Sequence, residues 1–328
     1  MTEARAIRIR EAGGPEVLEL GTLEVREPGP GEVRVKVAAA GVNRADVMQR
    51  KGFYPAPPGA PADVPGLEIA GTVESVGADV RGFEVGQAVM TIVGGGGLAE
   101  LAVVHERELL RVPEGMNLTD AAAIPEVYLT AYDALFLQGG ANLGQTVLVH
   151  AVASGVGTAA LQLLRQAGCT VVGTSRKEAK LARCRELGLV HAIDTSDGVF
   201  AEKLMAMAPA GADLILDTIG AKYANEDLRA LRPKGTIVTI GLVGGRKGEV
   251  DLGLLLRRRA TWIGTVLRAR PLEEKATLIQ RFARDVLPRV ADGTLRPVVD
   301  AVLPMADAAE AHRRMEANET FGKLILAW

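Results

Sequence analysis

The chain is short of the residues that would place it in several large classes of protein. Only two cysteines, Cys169 and Cys184, occur in 328 residues, too few for a disulfide framework or a cysteine-rich zinc site. Aromatic residues make up 4% of the chain, so a core drawn from its 48% apolar residues must be mostly Ala, Val, Leu and Ile. A formal net charge of −2 leaves no basic excess for nucleic acid and no polybasic arm for a membrane surface. The N-terminus, "MTEARAIRIR", has no apolar core of a signal peptide, and no apolar run approaches the roughly 18 residues of a spanning helix. A soluble, cytoplasmic protein is therefore expected. Lysine is also scarce. It supplies 10 of the 38 basic residues, and this arginine bias, with sparse Asn and Gln, points to a heat-adapted host.

What is present falls into two rhythms. Up to about residue 120 the chain reads as short strands, such as "EVRVKVAAAGV" and "IAGTVESVGADV", punctuated by Pro/Gly clusters. From about 121, apolar strands ("TVLVHA", "TVVGTS", "HAID", "LILDTIG", "TIVTIG", "TWIGTV") alternate with helical stretches. That alternation predicts βαβ units in a doubly wound parallel sheet. The tail predicts a helix over Leu272–Val290, a strand over Val298–Leu303, a short helix over Ala306–Ala317 and a closing strand "GKLILAW". The expected class is α/β, with a first domain over 1–122 completed by 268–328, and a second over 123–267. A cleft between them would be the place for a ligand.

The segment "VLVHAVASGVGTAALQLLR" carries the clearest chemistry. An apolar strand runs into a small-residue turn and then a helix, which is how a parallel sheet brings backbone N–H groups to a pyrophosphate. Gly155, Val156 and Gly157 form the turn, and Ser154 stands where a glycine fingerprint would have another glycine. About 20 residues on, an NAD site usually has Asp or Glu to hold the ribose hydroxyls. Here the strand ends in Thr174, Ser175 and Arg176, followed by Lys177 and Lys180. Hydroxyls and an Arg fork suit a 2′-phosphate that a carboxylate would repel, so the expected cofactor is NADPH. Lys177 fits a solvated helix face better.

Several longer stretches, "AAGVNRADVMQRKGFYPAPPGAPADVPGLEIAGTVESVG", "AAAIPEVYLTAYDAL" and "AHRRMEANETFGKLILAW", together with the phosphate loop, resemble the zinc-free quinone oxidoreductases among the medium-chain dehydrogenases/reductases. The motifs "NRADVMQRKGFYP", "AAAIPE" and "SGVGTAA" are most similar to the tumour-suppressor-inducible subgroup of these enzymes. The resemblance spans essentially the whole chain. It implies a GroES-like β domain joined to a Rossmann domain, NADPH, and a homodimer built through the Rossmann sheet. Zinc-dependent relatives have Cys and His where this chain has Asn43 and Leu67, so no metal is expected. His105 and His150 stand alone and read as ordinary hydrogen-bonding residues.

Hydride transfer to a quinone needs positioning more than Lewis-acid help. The resemblance places Asn43, Asp46 and the "GFYP" turn beside the acceptor. Asn43 would orient the nicotinamide ribose or an acceptor carbonyl, and Asp46 would hold the loop. Tyr54 would stack on the acceptor or give it a proton, or be an ordinary loop aromatic. Thr130 would contact the nicotinamide, with Tyr128 and Leu129 lining the pocket. Asp217 at the end of one strand, Gly241, Leu242 and Val243 after the next, and Gly264 after the last are further candidates for cofactor contact. Phe321 and Lys323 would lie near the cofactor, although Lys323 reads equally well as a solvated strand-edge charge. Ser154 would donate a hydrogen bond to cofactor or acceptor. The expected activity is metal-independent reduction of a small quinone by NADPH, as hydride or single-electron equivalents. The alternatives are an enoyl-thioester or alkenal reductase, and a non-catalytic NADPH-binding protein of crystallin or RNA-binding type.

Overall fold

A computed structural model describes residues 1–328. By its internal contacts the chain forms two units, Met1–Leu129 with Leu267–Trp328, and Thr130–Val266. The first stretch contributes strands β1 (Thr2–Ile9), β2 (Leu18–Val25), β3 (Glu32–Val42), β4 (Glu68–Val76), β5 (Ala88–Ile92), β6 (Leu101–His105) and β7 (Leu110–Arg111). The second unit holds β8 (Thr146–Val149), β9 (Thr170–Ser175), β10 (His191–Asp194), β11 (Ala212–Asp217), β12 (Leu231–Thr239) and β13 (Thr261–Gly264). The chain then returns to the first unit with β14 (Val299–Pro304) and β15 (Lys323–Ala327).

In the first unit β1 and β2 form a hairpin, and the remaining strands form a sheet in the order β14-β15-β3-β4-β5-β7, with β6 also on β3. All its pairings are antiparallel except β14 with β15. β3 is the axis of this GroES-like unit. Its run of Val and Ala is buried against Ile69, Val73, Leu324 and Leu326, which join one apolar cluster. Register on β3 matters for the chemistry below. Leu324 lies opposite Val42 and Ile69 opposite Ala40, so Lys323 and Glu68 both begin their strands near the exit of β3.

The second unit is a six-stranded, wholly parallel sheet in the order β10-β9-β8-β11-β12-β13. Strand order reverses between β8 and β11, the position beyond which doubly wound sheets hold their ligands. Leu148, Val172, Ile215, Leu228 and Ile237 share its buried core. The helix Gly155–Gln166 buries Ala159, Ala160, Leu163 and Leu164. Its approach to the sheet is limited by Gly157. A Cβ there would overlap the Ala151 carbonyl oxygen and lie 2.6 Å from the Val152 Cα.

The alternating pattern located all six strands of this unit. The tail differs from expectation: the helix expected over Leu272–Val290 is two helices, Leu272–Asp285 and Leu287–Ala291, separated at Val286. Pro288 is the reason, because it offers no N–H to the preceding turn and its ring crowds the carbonyl four residues back. The short C-terminal helix is Ala308–Glu316, after a single 3₁₀ turn at Met305–Asp307.

Gly157→Ala is expected to destabilise the protein by about 1–3 kcal/mol, the usual cost of forcing atoms into a packed contact. Urea unfolding measures this, and an unchanged midpoint would show that the helix can lift off the sheet freely.

Candidate functional site

In the second unit, β8 ends at Val149, and His150, buried to 0% exposure, begins the turn. His150 Nδ1 lies 2.9 Å from Thr174 Oγ1 and Nε2 lies 2.7 Å from Asp227 Oδ1, so this side chain ties β8, β9 and the helix Ala224–Ala230 together. Burial raises the Asp227 pKa to about 6 against the pull of His150. Ala151 then takes a left-handed φ of 47°, a conformation rare outside glycine, and Val152 N–H donates to Thr174 O at 3.0 Å. Ser154 has φ −77° and caps the helix: its Oγ accepts the Gly157 N–H at 3.1 Å. The N–H groups of Gly155 and Val156 find no partner within the chain and are half-buried. Two free donors at a helix N-terminus, with its partial positive charge, fit a dinucleotide phosphate.

The sequence-predicted residues divide sharply here. Ser154, Gly155, Val156 and Gly157 come together in the turn. Thr174 is only 1% exposed and its hydroxyl is spent on His150, so its side chain supports the turn rather than meeting a ligand. Ser175 is buried, with Oγ 3.3 Å from the Lys177 N–H it accepts, while Arg176 is exposed beyond β9 and Lys180 is half-buried. Asp217 is fully buried. Its carboxylate accepts N–H bonds from Ile219 and Gly220 and an O–H bond from Thr239, so its side chain closes the turn after β11. Gly241 follows β12, and Leu242 and Val243 are exposed there. Leu242 also lines a recess of about 240 Å³ with Gly220, Thr239, Arg246 and Trp262. Gly264 ends β13 with open space around it, and Thr130 is half-buried on the helix Pro125–Tyr132.

In the first unit, three strand ends and a helix start converge. Asn43 follows β3 and begins the helix Arg44–Arg50, where its N–H donates to Asp46 Oδ2 at 2.7 Å. The other Asp46 oxygen accepts the Gly66 N–H at 2.9 Å. Asn43 Nδ2 donates to Gly41 O and, at 2.9 Å, to Glu68 Oε1. Lys323 Nζ donates to Val42 O at 3.0 Å, to Asn43 Oδ1 at 2.8 Å and to Glu68 Oε1. Glu68 Oε2 accepts the Glu126 N–H at 2.8 Å, which fixes the start of the helix Pro125–Tyr132. There is no room for a side chain at Gly41, whose Cβ would overlap the Glu68 carboxylate.

This cluster corrects two expectations. Lys323 is not a solvated edge charge: its side chain is 3% exposed and inside an ion pair, where an ammonium with fewer partners would be too costly to bury. Both N–H bonds of the Asn43 amide are spent inside the protein, so it has none to give a ribose or carbonyl. Phe321, at 3% exposure, is likewise a packing residue. Asp46 is the loop-holding group expected of it.

Tyr54 stands apart from this cluster, half-buried, with its ring 4.9 Å from the Arg268 guanidinium. Arg268 was invisible to pattern reading and proves to be the clamp of the loop. It donates to Tyr54 O at 3.0 Å, Gly94 O at 2.8 Å and Gln49 Oε1. Burial raises the Tyr54 phenol above its ordinary value and lowers the Arg268 guanidinium. Asp46 is pushed up to about 6 by burial, which outweighs the N–H groups of Asn43 and Gly66 and the charges of Lys323 and Arg268. Glu126 is pushed further, to about 8, first by burial and then by the negative charges of Glu68 and Asp46. In the sequence it stands only within the motif "AAAIPE". Both thiols are pushed up by burial, Cys184 to about 11, so neither is a ready thiolate.

Residues 29–114 match the alcohol dehydrogenase GroES-like domain, and residues 155–284 match the zinc-binding dehydrogenase family. A curated relative, the quinone oxidoreductase of Pseudomonas aeruginosa, is 32% identical over 98% of this chain and 99% of its own. Among solved structures, an NAD-dependent alcohol dehydrogenase superposes with a TM-score of 0.87 at 33% identity, covering 99% of each chain. The CurK enoyl reductase superposes with a TM-score of 0.86 at 26% identity, over 100% of this chain and 99% of that one. The chain belongs to the medium-chain dehydrogenases/reductases, on the side of that family that includes the quinone oxidoreductases. It is an oxidoreductase with a nicotinamide-cofactor domain.

The family description implies zinc, and the residues present do not fit it. Asn43, the buried Leu67 and a Glu68 already paired to an ammonium form no cradle, and no group of three or more His, Cys, Asp or Glu side chains is gathered to hold a metal ion. No helix is long and apolar enough to cross a membrane.

Lys323→Met strands the Glu68 carboxylate in a buried site and is expected to cost about 3–5 kcal/mol in chemical unfolding. A loss under about 1 kcal/mol would match an ordinary surface ion pair and remove the cluster from its structural role.

Proposed function

We propose that the protein is an NADPH-dependent quinone oxidoreductase working in the cytoplasm without a metal ion. The donor set carries the reading. With an ammonium seated on Glu68, the acceptor itself must be electrophilic, as quinones are, and the P. aeruginosa relative of matching length is named for that activity. Bound in the second unit, the cofactor supplies hydride. The N–H groups of Gly155 and Val156 hold its pyrophosphate, and Ser154 fixes their direction by capping the helix while its hydroxyl hydrogen stays free to donate. Arg176, with Ser175, takes the 2′-phosphate, since no carboxylate ends β9. Tyr54, backed by Arg268, offers a ring face against which a planar acceptor can stack. A second reading, reduction of an enoyl thioester, is favoured by the likeness to the CurK enoyl reductase.

The partner in this reading is a second copy of the chain. β13 is an edge strand, and the helix Leu252–Arg258 before it leaves Leu252 and Leu256 at 64% and 74% exposure. Such an edge invites pairing with another sheet.

NADPH oxidation is expected with 1,2-naphthoquinone and not with crotonyl-CoA. Turnover of the thioester alone would reverse the two readings. Arg176→Glu should weaken NADPH binding by roughly 10–100-fold, the worth of one charge-assisted contact, and leave NADH unaffected. Equal losses for both cofactors would place the 2′-phosphate elsewhere. Ser154→Val should lower turnover more than NADPH affinity, and unchanged turnover would leave the hydroxyl as a cap alone. Light scattering should report a dimer for the native chain and a monomer for Leu256→Asp. A native monomer would reject the edge pairing.

A further inference from the structure

Three carboxylic groups and two cations share one neighbourhood in the first unit: Asp46, Glu68 and Glu126 with Lys323 and Arg268. Fully ionised, the group would carry one uncompensated negative charge in a poorly solvated place. A single retained proton removes that cost. Geometry decides which carboxyl keeps it. Both oxygens of Asp46 accept backbone N–H bonds, which favour the ionised form. Glu68 accepts from Lys323 and Asn43 on one oxygen and from the Glu126 N–H on the other. The Glu126 carboxyl receives no hydrogen bond from the chain, although the residue as a whole is half-buried, so its proton is not tied to any neighbour.

We infer that Glu126 is the catalytic proton donor, giving its carboxylic proton to the acceptor oxygen as the acceptor is reduced. This rests on the quinone reading above. The Glu126 O–H bond breaks and an O–H bond forms on the acceptor, while the two electrons arrive with hydride from a reduced nicotinamide dinucleotide. The quinone leaves as hydroquinone. The Glu126 carboxylate, once more surplus in its neighbourhood, recovers a proton from water. A phenol held above its usual value is a poor acid at neutral pH, whereas a carboxyl near 8 is matched to it. Tyr54 is then the stacking surface and not the acid.

The test combines infrared spectroscopy with kinetics on the full-length protein. Gln is the neutral isostere of a protonated Glu, so Glu126→Gln should fold. Because folding raises this pKa, the stabilising contribution of Glu126 is complete below the ordinary 4.5 and is lost as pH rises through about 8. The variant should lack that stability loss. In the native protein without cofactor, the carbonyl band of a protonated carboxyl should be present at neutral pH, fade as pH passes about 8, and be missing in the variant. The native kcat should fall over the same pH range. Glu126→Gln should lower kcat by about 10²–10⁴-fold and abolish the pH break, with NADPH affinity by fluorescence unchanged. Glu126→Asp should restore part of the rate. A band that survives in Glu126→Gln, or a native kcat and pH profile retained by it, would overturn the inference. A native protein that reduces no quinone while its band maps to Glu126 would instead overturn the quinone reading and leave the stored proton where it is placed here.

Discussion

Much of the first unit depends on one buried ammonium. Lys323 begins the last strand, yet its Nζ is held by Val42 O, Asn43 Oδ1 and Glu68 Oε1, residues more than 250 positions earlier. An amine buried this deeply is tolerable only with its donors filled and a counter-charge in contact. That requirement fixes the exit of β3, the entry of β4 and the entry of β15 against one another. Through Glu68 it also fixes the first turn of the helix Pro125–Tyr132, and through Asn43 the start of Arg44–Arg50. The same ion pair occupies the carboxylate around which a metal set would form, and the Glu68 charge is one of the causes that, after burial, hold Glu126 above its ordinary value. One contact thus sets local structure, donor chemistry and proton inventory together.

The second unit solves a different problem, that of bringing bare backbone to an anion. Three devices share the work: a left-handed Ala151, a Gly157 whose missing Cβ lets the helix close on the strand, and a serine cap that satisfies one N–H and leaves two outward. His150 underpins them from inside by linking Thr174 and Asp227 across the sheet and helix layers. Ser154, which looked like a defect in a glycine fingerprint, is a helix cap in extended backbone, where a Cβ is no burden.

Likeness to a quinone oxidoreductase, an alcohol dehydrogenase and an enoyl reductase shows that this architecture hosts several chemistries. Side chains such as Asn43, Leu67, Glu68 and Lys323, rather than the fold, set what chemistry the first unit can support.

By itself the sequence determined what depends on near neighbours. Short apolar runs alternating with helical stretches, with glycines at the strand–helix turn, located the six parallel strands and the phosphate loop, because those signals come from residues within a few positions of each other. The break at Val286 is legible in the sequence too, from Pro288. Only the tertiary structure decided that Thr174 serves His150, that Lys323 is buried rather than solvated, that Asn43 has no free donor, and that Arg268 clamps the Tyr54 loop. Each of these is a pairing across tens to hundreds of residues, and a local pattern contains no term for it. A charged residue at a strand end reads the same whether it faces water or an opposing carboxylate. The register of β15 on β3 and of β3 on β4 made that choice.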